Sequence, residues 1–170
     1  AANGFFDVLN VKAQMNGQPL DGFDFPTESQ WECACRGGTT TAYYFGATTN
    51  GYETYCGKFS GYYANVVGTM PVNPWGFYDL LGNQFEFCMD HIGAYPAGTL
   101  ENPASDPVHG NGTGYVIRRS YSRNCEVKNP FAYRSAARQS ISPATQNGMT
   151  GFRLCINQPD ISGYESTYSV

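Results

Sequence analysis

The sequence lacks several features that mark common classes of protein. No apolar run approaches the roughly 20 residues that a membrane-spanning helix needs, so no membrane span is expected. The chain has no Cys-x-x-Cys pair and only two histidines, which argues against a structural zinc site. Ten Lys and Arg residues against fourteen Asp and Glu leave a net charge of −4, so we expect no nucleic-acid partner.

Charged residues are scarce, at 14% of the chain, whereas 20 Gly, 13 Tyr and 11 Phe are present. This balance indicates a loop-rich globule whose core relies on aromatic rings. The length of 170 residues fits one domain. We expect that domain over residues 1–157, followed by a flexible C-terminal tail over 158–170. Six cysteines permit up to three disulfides, and their pairing stays open.

Local signals predict one helix clearly and several strands. Thr27 and Gln30 form a capping-box pattern before Glu28–Arg36, and two glycines follow this helix. The segment Phe5–Met15 fits either a short helix or a strand. Strands are expected at Tyr43–Phe45, Phe85–Cys88, Tyr115–Arg118 and Gly151–Ile156. The expected aromatic core consists of Trp31, Trp75, Tyr78, Phe85 and Phe87.

Three blocks of residues, in order along the chain, carry a family signature. They are Phe25-Pro-Thr-Glu28 with Trp31-Glu32 and Arg36-Gly-Gly38, then Asn73–Cys88, then Tyr133-Arg-Ser-Ala-Ala-Arg138 with Gly151-Phe-Arg153. These blocks resemble the formylglycine-generating enzymes, also called sulfatase-modifying factors, over about residues 20–157. The resemblance implies an α+β domain of the C-type lectin fold. Such a domain has few short antiparallel strands, one or two helices and much irregular loop.

The resemblance breaks at the position of the family's chemistry. It implies that the enzymes oxidise a sulfatase cysteine with two cysteines five positions apart, because paired soft thiolates bind Cu(I). Here Cys125 is followed five positions later by Pro130. We therefore expect no enzyme activity. The alternatives are a copper-dependent oxidase of a peptide cysteine, or an inactive paralogue that partners such an enzyme.

The segment of about 119–149 has no hydrophobic period and ends at Gly151-Phe-Arg-Leu154. In this it resembles the variable proteins of diversity-generating retroelements in phages and prokaryotes, with Arg134–Ala137 as a fixed island. The resemblance implies a display protein whose varied surface residues bind a macromolecular ligand, expected to be a protein. It is compatible with display on a cell surface or a virion, and the location stays open. The predicted contact residues are Tyr121, Ser122, Arg123, Asn124, Cys125, Glu126, Lys128, Asn129, Phe131, Gln139, Ile141, Gln146 and Met149.

Two further sets of residues have alternative interpretations. Asn83 and Glu86 resemble residues near a calcium site in the family, and their oxygens suit that ion. The alternative is that Glu86 pairs with one of the arginines at 134, 138 and 153. Arg134 and Arg138 are themselves expected to pair with buried carboxylates. No other cofactor is expected, and neither histidine has a catalytic partner at a telling spacing.

Overall fold

The computed structural model describes residues 4–15, 22–56, 64–94, 116–121 and 129–156, and it divides into two compact units. The smaller unit draws on Ala1–Phe25 and Leu154–Val170, and the larger unit on Pro26–Arg153. A single domain over 1–157 stays a prediction, and the expected tail over 158–170 lies outside the described residues. No helix in the described part of the chain is long and apolar enough to cross a membrane.

The described residues form helices and short strands, which confirms the α+β class. The α-helices are α1 (Phe5–Met15), α2 (Glu28–Arg36) and α3 (Tyr52–Cys56), and a 3-10 helix spans Pro130–Tyr133. The strands are β1 (Phe23–Asp24), β2 (Phe85–His91), β3 (Val116–Arg119), β4 (Gln139–Ile141), β5 (Thr150–Gly151) and β6 (Cys155–Ile156). The described helices exceed the expected one or two, and the ambiguous segment at the N-terminus is helical.

The smaller unit joins α1 to a two-stranded sheet. In that sheet β1 and β6 are antiparallel. The side chain of Asn10 on α1 bonds to both backbone groups of Phe23, accepting its N–H at 2.8 Å and donating to its carbonyl oxygen at 3.2 Å. The rings of Phe6 and Phe25 meet edge to face at 4.7 Å between centroids. These contacts fasten α1 to β1.

The larger unit contains a four-stranded sheet in the order β4-β3-β2-β5. Strand β3 is antiparallel to β4 and to β2, whereas β5 lies parallel to β2, so the sheet is mixed and not purely antiparallel. The predicted strand Gly151–Ile156 is wrong as a single element, because β5 and β6 belong to different sheets. At Tyr43–Phe45 the structure has an isolated bridge between Tyr43 and Gly46.

Helix α2 is built as its sequence predicts. Thr27 accepts the backbone N–H of Gln30, and the Gln30 side chain accepts the backbone N–H of Thr27. Gly37 ends the helix in the left-handed conformation, at φ +53°, and its N–H donates to the carbonyl oxygen of Cys33 at 3.1 Å. The buried face of the helix carries Glu28, Trp31 and Cys35.

The core differs in part from the predicted aromatic set. Trp31 and Phe85 are buried, but Trp75 is 55% exposed, Tyr78 is 48% exposed and Phe87 is half-buried. The prediction that Trp75 and Tyr78 form the core is therefore wrong. The core is completed by Cys35, Tyr43, Tyr44, Cys56, Leu80, Leu81, Cys88, Ile117, Tyr121 and Tyr133.

Asn73 explains why Trp75 points outward. Its buried side chain donates to the carbonyl oxygens of Ala34 and Cys35 at 2.5 and 3.1 Å, which satisfies the end of α2. Its Oδ1 accepts the backbone N–H groups of Trp75 and Phe77 at 3.1 and 2.9 Å. In this turn Asn73 is therefore the buried residue, and the indole of Trp75 lies on the surface.

Two cysteines of α2 provide a test of this packing. The Cys33 side chain is exposed, whereas Cys35 is fully buried, and burial raises the pKa of the Cys35 thiol to about 12. Because the thiolate is the nucleophile, we expect iodoacetamide at pH 8 to alkylate Cys33 and leave Cys35 unmodified in the folded protein. Peptide mass spectrometry before and after unfolding in urea measures this. Equal rates of alkylation at the two sites would contradict the burial of Cys35.

The buried Cys35 thiol also makes the free energy of unfolding depend on pH. In the unfolded chain Cys35 loses its proton near its ordinary pKa of 9.0, but in the folded chain it keeps the proton to about 12. Between these values the unfolded state binds fewer protons, so the free energy of unfolding falls as the pH rises. Burial likewise raises the pKa values of Cys56 and Cys88, which strengthens this alkaline loss of stability.

Candidate functional site

Arg119 stands at the centre of a buried ion-pair network. Its guanidinium is fully buried and donates to Glu28 Oε1 at 2.7 Å and to Glu32 Oε2 at 2.6 Å. It also donates to the carbonyl oxygen of Ser135. The two glutamates lie one turn apart on α2, so one arginine from β3 can hold both of them. The network ties β3, and the segment after the 3-10 helix, to α2.

A second arginine completes the pairing of Glu28. Arg138 lies 2.7 Å from Glu28 Oε2, which confirms the expected pairing of Arg138 with a buried carboxylate. Burial acts to lower the pKa of Arg119, but the charges of Glu32 and Glu28 outweigh it and raise that pKa. Sequence analysis did not identify Arg119 as the partner of Glu28 and Glu32. The available signal was the position of these two carboxylates beside Trp31 on one helix face, which indicates a cationic partner.

The 3-10 helix directs one ring into the core and another to solvent. Asn129 precedes it, and its Oδ1 accepts the N–H of Phe131 at 3.1 Å. Tyr133 is fully buried, whereas Phe131 is 62% exposed. Arg134 is exposed as well, and its Nε donates to the carbonyl oxygen of Phe131 at 3.0 Å. We call this exposed pair the Phe131–Arg134 ridge.

A distant turn supports the ridge. The hydroxyl of Tyr43 donates to the carbonyl oxygen of Pro130 at 2.9 Å, and the N–H of Ser135 donates to the carbonyl oxygen of Ala42 at 2.9 Å. The first bond spans 87 residues of sequence, so no local pattern predicts it. Both ends of the ridge are therefore fixed to the turn that contains Ala42 and Tyr43.

Two cavities of about 400 Å³ each adjoin the ridge, and both are lined in part by Phe131 and Arg134. The first cavity also contacts Asn129, Ala137, Arg138 and Gln139. The second is lined by residues of the distant turn, Tyr43, Ala47, Thr48 and Thr49. Sequence reasoning did not assign this turn to the site.

The structure brings three predicted contact residues together, because Asn129, Phe131 and Gln139 line the same cavity. Gln139 is half-buried, and its Oε1 accepts a hydrogen bond from Arg118 at 3.2 Å. Gln146 is exposed, but neither it nor Met149 lines the two cavities. Contact of these residues with a ligand stays a prediction. The predicted positions that lie outside the described residues are Ser122, Arg123, Asn124, Cys125, Glu126 and Lys128.

Two predicted contact residues are buried, which contradicts their placement on the surface. Tyr121 is 6% exposed, and its ring packs against Phe85 at 5.3 Å and against Tyr133 at 4.9 Å between centroids. Ile141 is 8% exposed and lies on β4. The chain on either side is polar, and that pattern hid the inward direction of both side chains.

The residues of the predicted calcium site serve other partners. Glu86 Oε2 accepts bonds from Arg153 Nε and Trp31 Nε1, both at 2.6 Å, and its Oε1 accepts from Arg153 at 2.6 Å. Asn83 Oδ1 accepts the backbone N–H of Asn65 at 2.7 Å. Calcium needs six to eight oxygen ligands, and these oxygens are already engaged. The pairing of Glu86 with Arg153 therefore fits the structure, and a calcium ion does not.

The described positions also do not suit the family's copper chemistry. The place of the second cysteine is taken by Pro130, the first residue of the 3-10 helix. Its carbonyl oxygen accepts the Tyr43 hydroxyl, so this backbone serves the scaffold. Proline supplies no thiolate, so a copper site of two sulfurs cannot form from Cys125 and Pro130.

Comparison with known proteins gives relatives in sequence and in fold. The formylglycine-generating enzyme of Streptomyces coelicolor is 34% identical over 156 residues, which cover 83% of this chain and 48% of that protein. Treponema denticola variable protein 1 matches with a TM-score of 0.62 and 26% identity, over 78% of this chain and 46% of that one. The structure of PvdO from Pseudomonas aeruginosa matches with a TM-score of 0.61 and 21% identity, over 87% and 57%, and shows the fold alone. The chain spans about half the length of these proteins.

These matches confirm the predicted C-type lectin-like fold. The model of the sulfatase-modifying factor enzyme 1-like domain matches residues 5–158. That range contains α2 with its capping box, the turn at Asn73 and the network around Arg119, which are the features that build the scaffold. Since the match covers most of the chain, and a relative is more than 30% identical, the chain belongs to the family of sulfatase-modifying factor enzyme 1-like domains.

Proposed function

We propose that this chain is a ligand-binding protein and not an oxidase, with the Phe131–Arg134 ridge and the predicted contact residues around it as the binding surface. The ligand is a protein. The observation that carries the proposal is the exposed ring of Phe131 beside an exposed arginine, on a segment whose next ring, Tyr133, is fully buried. Rigid aromatic rings and arginine are the side chains that contribute most to binding at protein interfaces.

The scaffold permits exchange of the exposed side chains. The backbone on either side of the Phe131–Arg134 ridge bonds to the buried hydroxyl of Tyr43 and to the carbonyl oxygen of Ala42, and neither bond depends on the exposed side chains. Substitution of an exposed side chain usually changes stability within about 0.5 kcal/mol, whereas truncation of a core ring costs about 3–5 kcal/mol. Diversification by a retroelement is therefore compatible with folding. The similarity to Treponema denticola variable protein 1 supports the same assignment.

The proposal predicts which codons differ among natural isolates. We expect substitutions at the exposed residues Asn129 and Phe131, and none at the buried residues Tyr133 and Ser135. The differences should trace to adenines in a nearby near-copy of the coding segment. Sequencing the locus and its flanking DNA across many isolates measures this.

Each of the four codons is a control for the others, because all lie within one short segment. Equal variation at exposed and buried positions would contradict the prediction that burial keeps a residue from being diversified. If the segment 129–135 proved as invariant as Asn73–Cys88, with no near-copy in the flanking DNA, the proposal would be abandoned. A copper-dependent activity and a fixed partner would then be the functions to test.

A further inference from the structure

The charge around the two cavities beside the ridge is unbalanced. Their lining includes Arg134 and Arg138 and no aspartate or glutamate. Arg138 is paired, with its guanidinium 2.7 Å from Glu28. Arg134 forms no ion pair with any residue that the structure describes, although one was expected, and it belongs to both cavities. Among the described residues that line the two cavities, the positive charge without an ion pair is therefore that of Arg134.

Most of the other arginines of the described chain lie in an ion pair, and the remaining one, Arg118, has side-chain partners of another kind. Arg36, Arg119 and Arg153 each lie within 2.7 Å of a glutamate oxygen. Arg118 donates to Thr150 and Gln139 and lies over the ring of Phe85 at 3.6 Å. A guanidinium is always charged at neutral pH, and its terminal nitrogens suit a carboxylate. The hydrogen bond from Arg134 to the carbonyl oxygen of Phe131 uses its Nε and not a terminal nitrogen.

We infer that Arg134 binds a carboxylate of the protein ligand, while an apolar side chain of the same ligand packs against Phe131. The inference deepens the proposed function and rests on it. The bond from Arg134 Nε to the Phe131 carbonyl oxygen holds the charge beside the exposed ring. An acidic residue next to an apolar residue is therefore the feature that the ligand must offer.

In this arrangement Arg134 supplies affinity for any acidic ligand, and the residues around it determine which ligand is bound. Arg134 lies in the segment Arg134–Ala137, which we expect to stay fixed between varied positions. A fixed arginine would demand an acidic group in every ligand, and the varied residues around it would select among acidic ligands. Nucleic acid is the less suitable anion, because its binding draws on several cations and the chain has a net charge of −4.

Selection from a random peptide library displayed on phage tests the inference. The purified chain is the bait, beside Arg134→Gln, Arg134→Lys and the control Lys12→Gln, which removes an exposed charge on α1. We expect peptides with Asp or Glu next to an aromatic or aliphatic residue. Their binding to Arg134→Gln should be at least about tenfold weaker, since bonds to charged groups contribute about 1.5–3 kcal/mol. Arg134→Lys should recover part of the loss, and Lys12→Gln should bind as the unaltered chain does.

Several outcomes would overturn the inference. One is a set of enriched peptides without acidic residues, or acidic peptides that bind Arg134→Gln undiminished. Another is tight binding of a labelled DNA duplex that depends on Arg134. If Phe131→Ala abolishes peptide binding while Arg134→Gln does not, the inference fails and the proposed function stands. If neither substitution matters, or no peptide is enriched, both fail.

Discussion

Replacing Arg119 with leucine will lower the free energy of unfolding by about 3–5 kcal/mol, because it leaves Glu28 and Glu32 without their shared cation. For a chain of this size that loss corresponds to a fall in melting temperature of about 6–20 °C. Thermal and urea unfolding followed by circular dichroism measure it. The matched control is Arg134→Leu, the same change at an exposed arginine, which should stay within about 0.5 kcal/mol.

A second variant keeps this prediction testable if Arg119→Leu does not fold. After Arg119→Leu the buried carboxylate of Glu28 keeps only Arg138 as a cationic partner among the described residues. Adding Glu28→Gln removes that undercompensated buried charge, so the double variant should recover part of the lost stability. A loss no larger than that of the Arg134→Leu control would show that the network around Arg119 contributes little. An additive effect of the two substitutions would show that Arg119 and Glu28 do not act together.

Gly82→Ala will destabilise the larger unit through both its backbone and its packing. Gly82 has φ +114°, and a Cβ there would lie 2.4 Å from the carbonyl oxygen of Cys56. Shifting the backbone is also hindered, since the Ser120 hydroxyl accepts the Gly82 N–H at 2.8 Å and donates to its carbonyl oxygen at 3.0 Å. We expect a loss of about 2–6 kcal/mol, from backbone strain of about 1–3 and overpacking of about 1–3.

The matched control for this prediction is Gly76→Ala. Gly76 also has a positive φ, of +83°, but an added Cβ would meet nothing within 4 Å. Its loss should be limited to the backbone strain of about 1–3 kcal/mol. Urea unfolding of both variants separates the two contributions. Equal losses would mean that the carbonyl of Cys56 moves aside at little cost.

The sequence predicted the features that depend on neighbouring residues. Helix α2 carries its own start and stop signals, so Thr27, Gln30 and Gly37 behaved as their patterns indicated. The family blocks gave the fold, because their order along the chain is specific. The exposure of Trp75 could not be predicted, since it depends on Asn73 bonding to the end of a helix 38 or 39 residues earlier.

The candidate site was predicted only in part, for the same reason. Phe131 is exposed, as the resemblance to the variable proteins implied, but Tyr121 in the same segment is buried against Phe85 and Tyr133. The residues Thr48 and Thr49 reach the site through a turn that lies far away in sequence. Side-chain direction in an irregular segment has no period, so only tertiary contacts decide it.

The ion pairs of Glu28 also determine when during synthesis the chain can fold. Glu28 bonds to Arg119 and Arg138, which follow it by 91 and 110 residues. A nascent chain that ends before Arg119 holds α2 with two glutamates and without the buried cation that matches them. Contacts between residues so far apart also form slowly, because a long loop must close first. We therefore expect the larger unit to fold late, as one step, after most of the chain has left the ribosome.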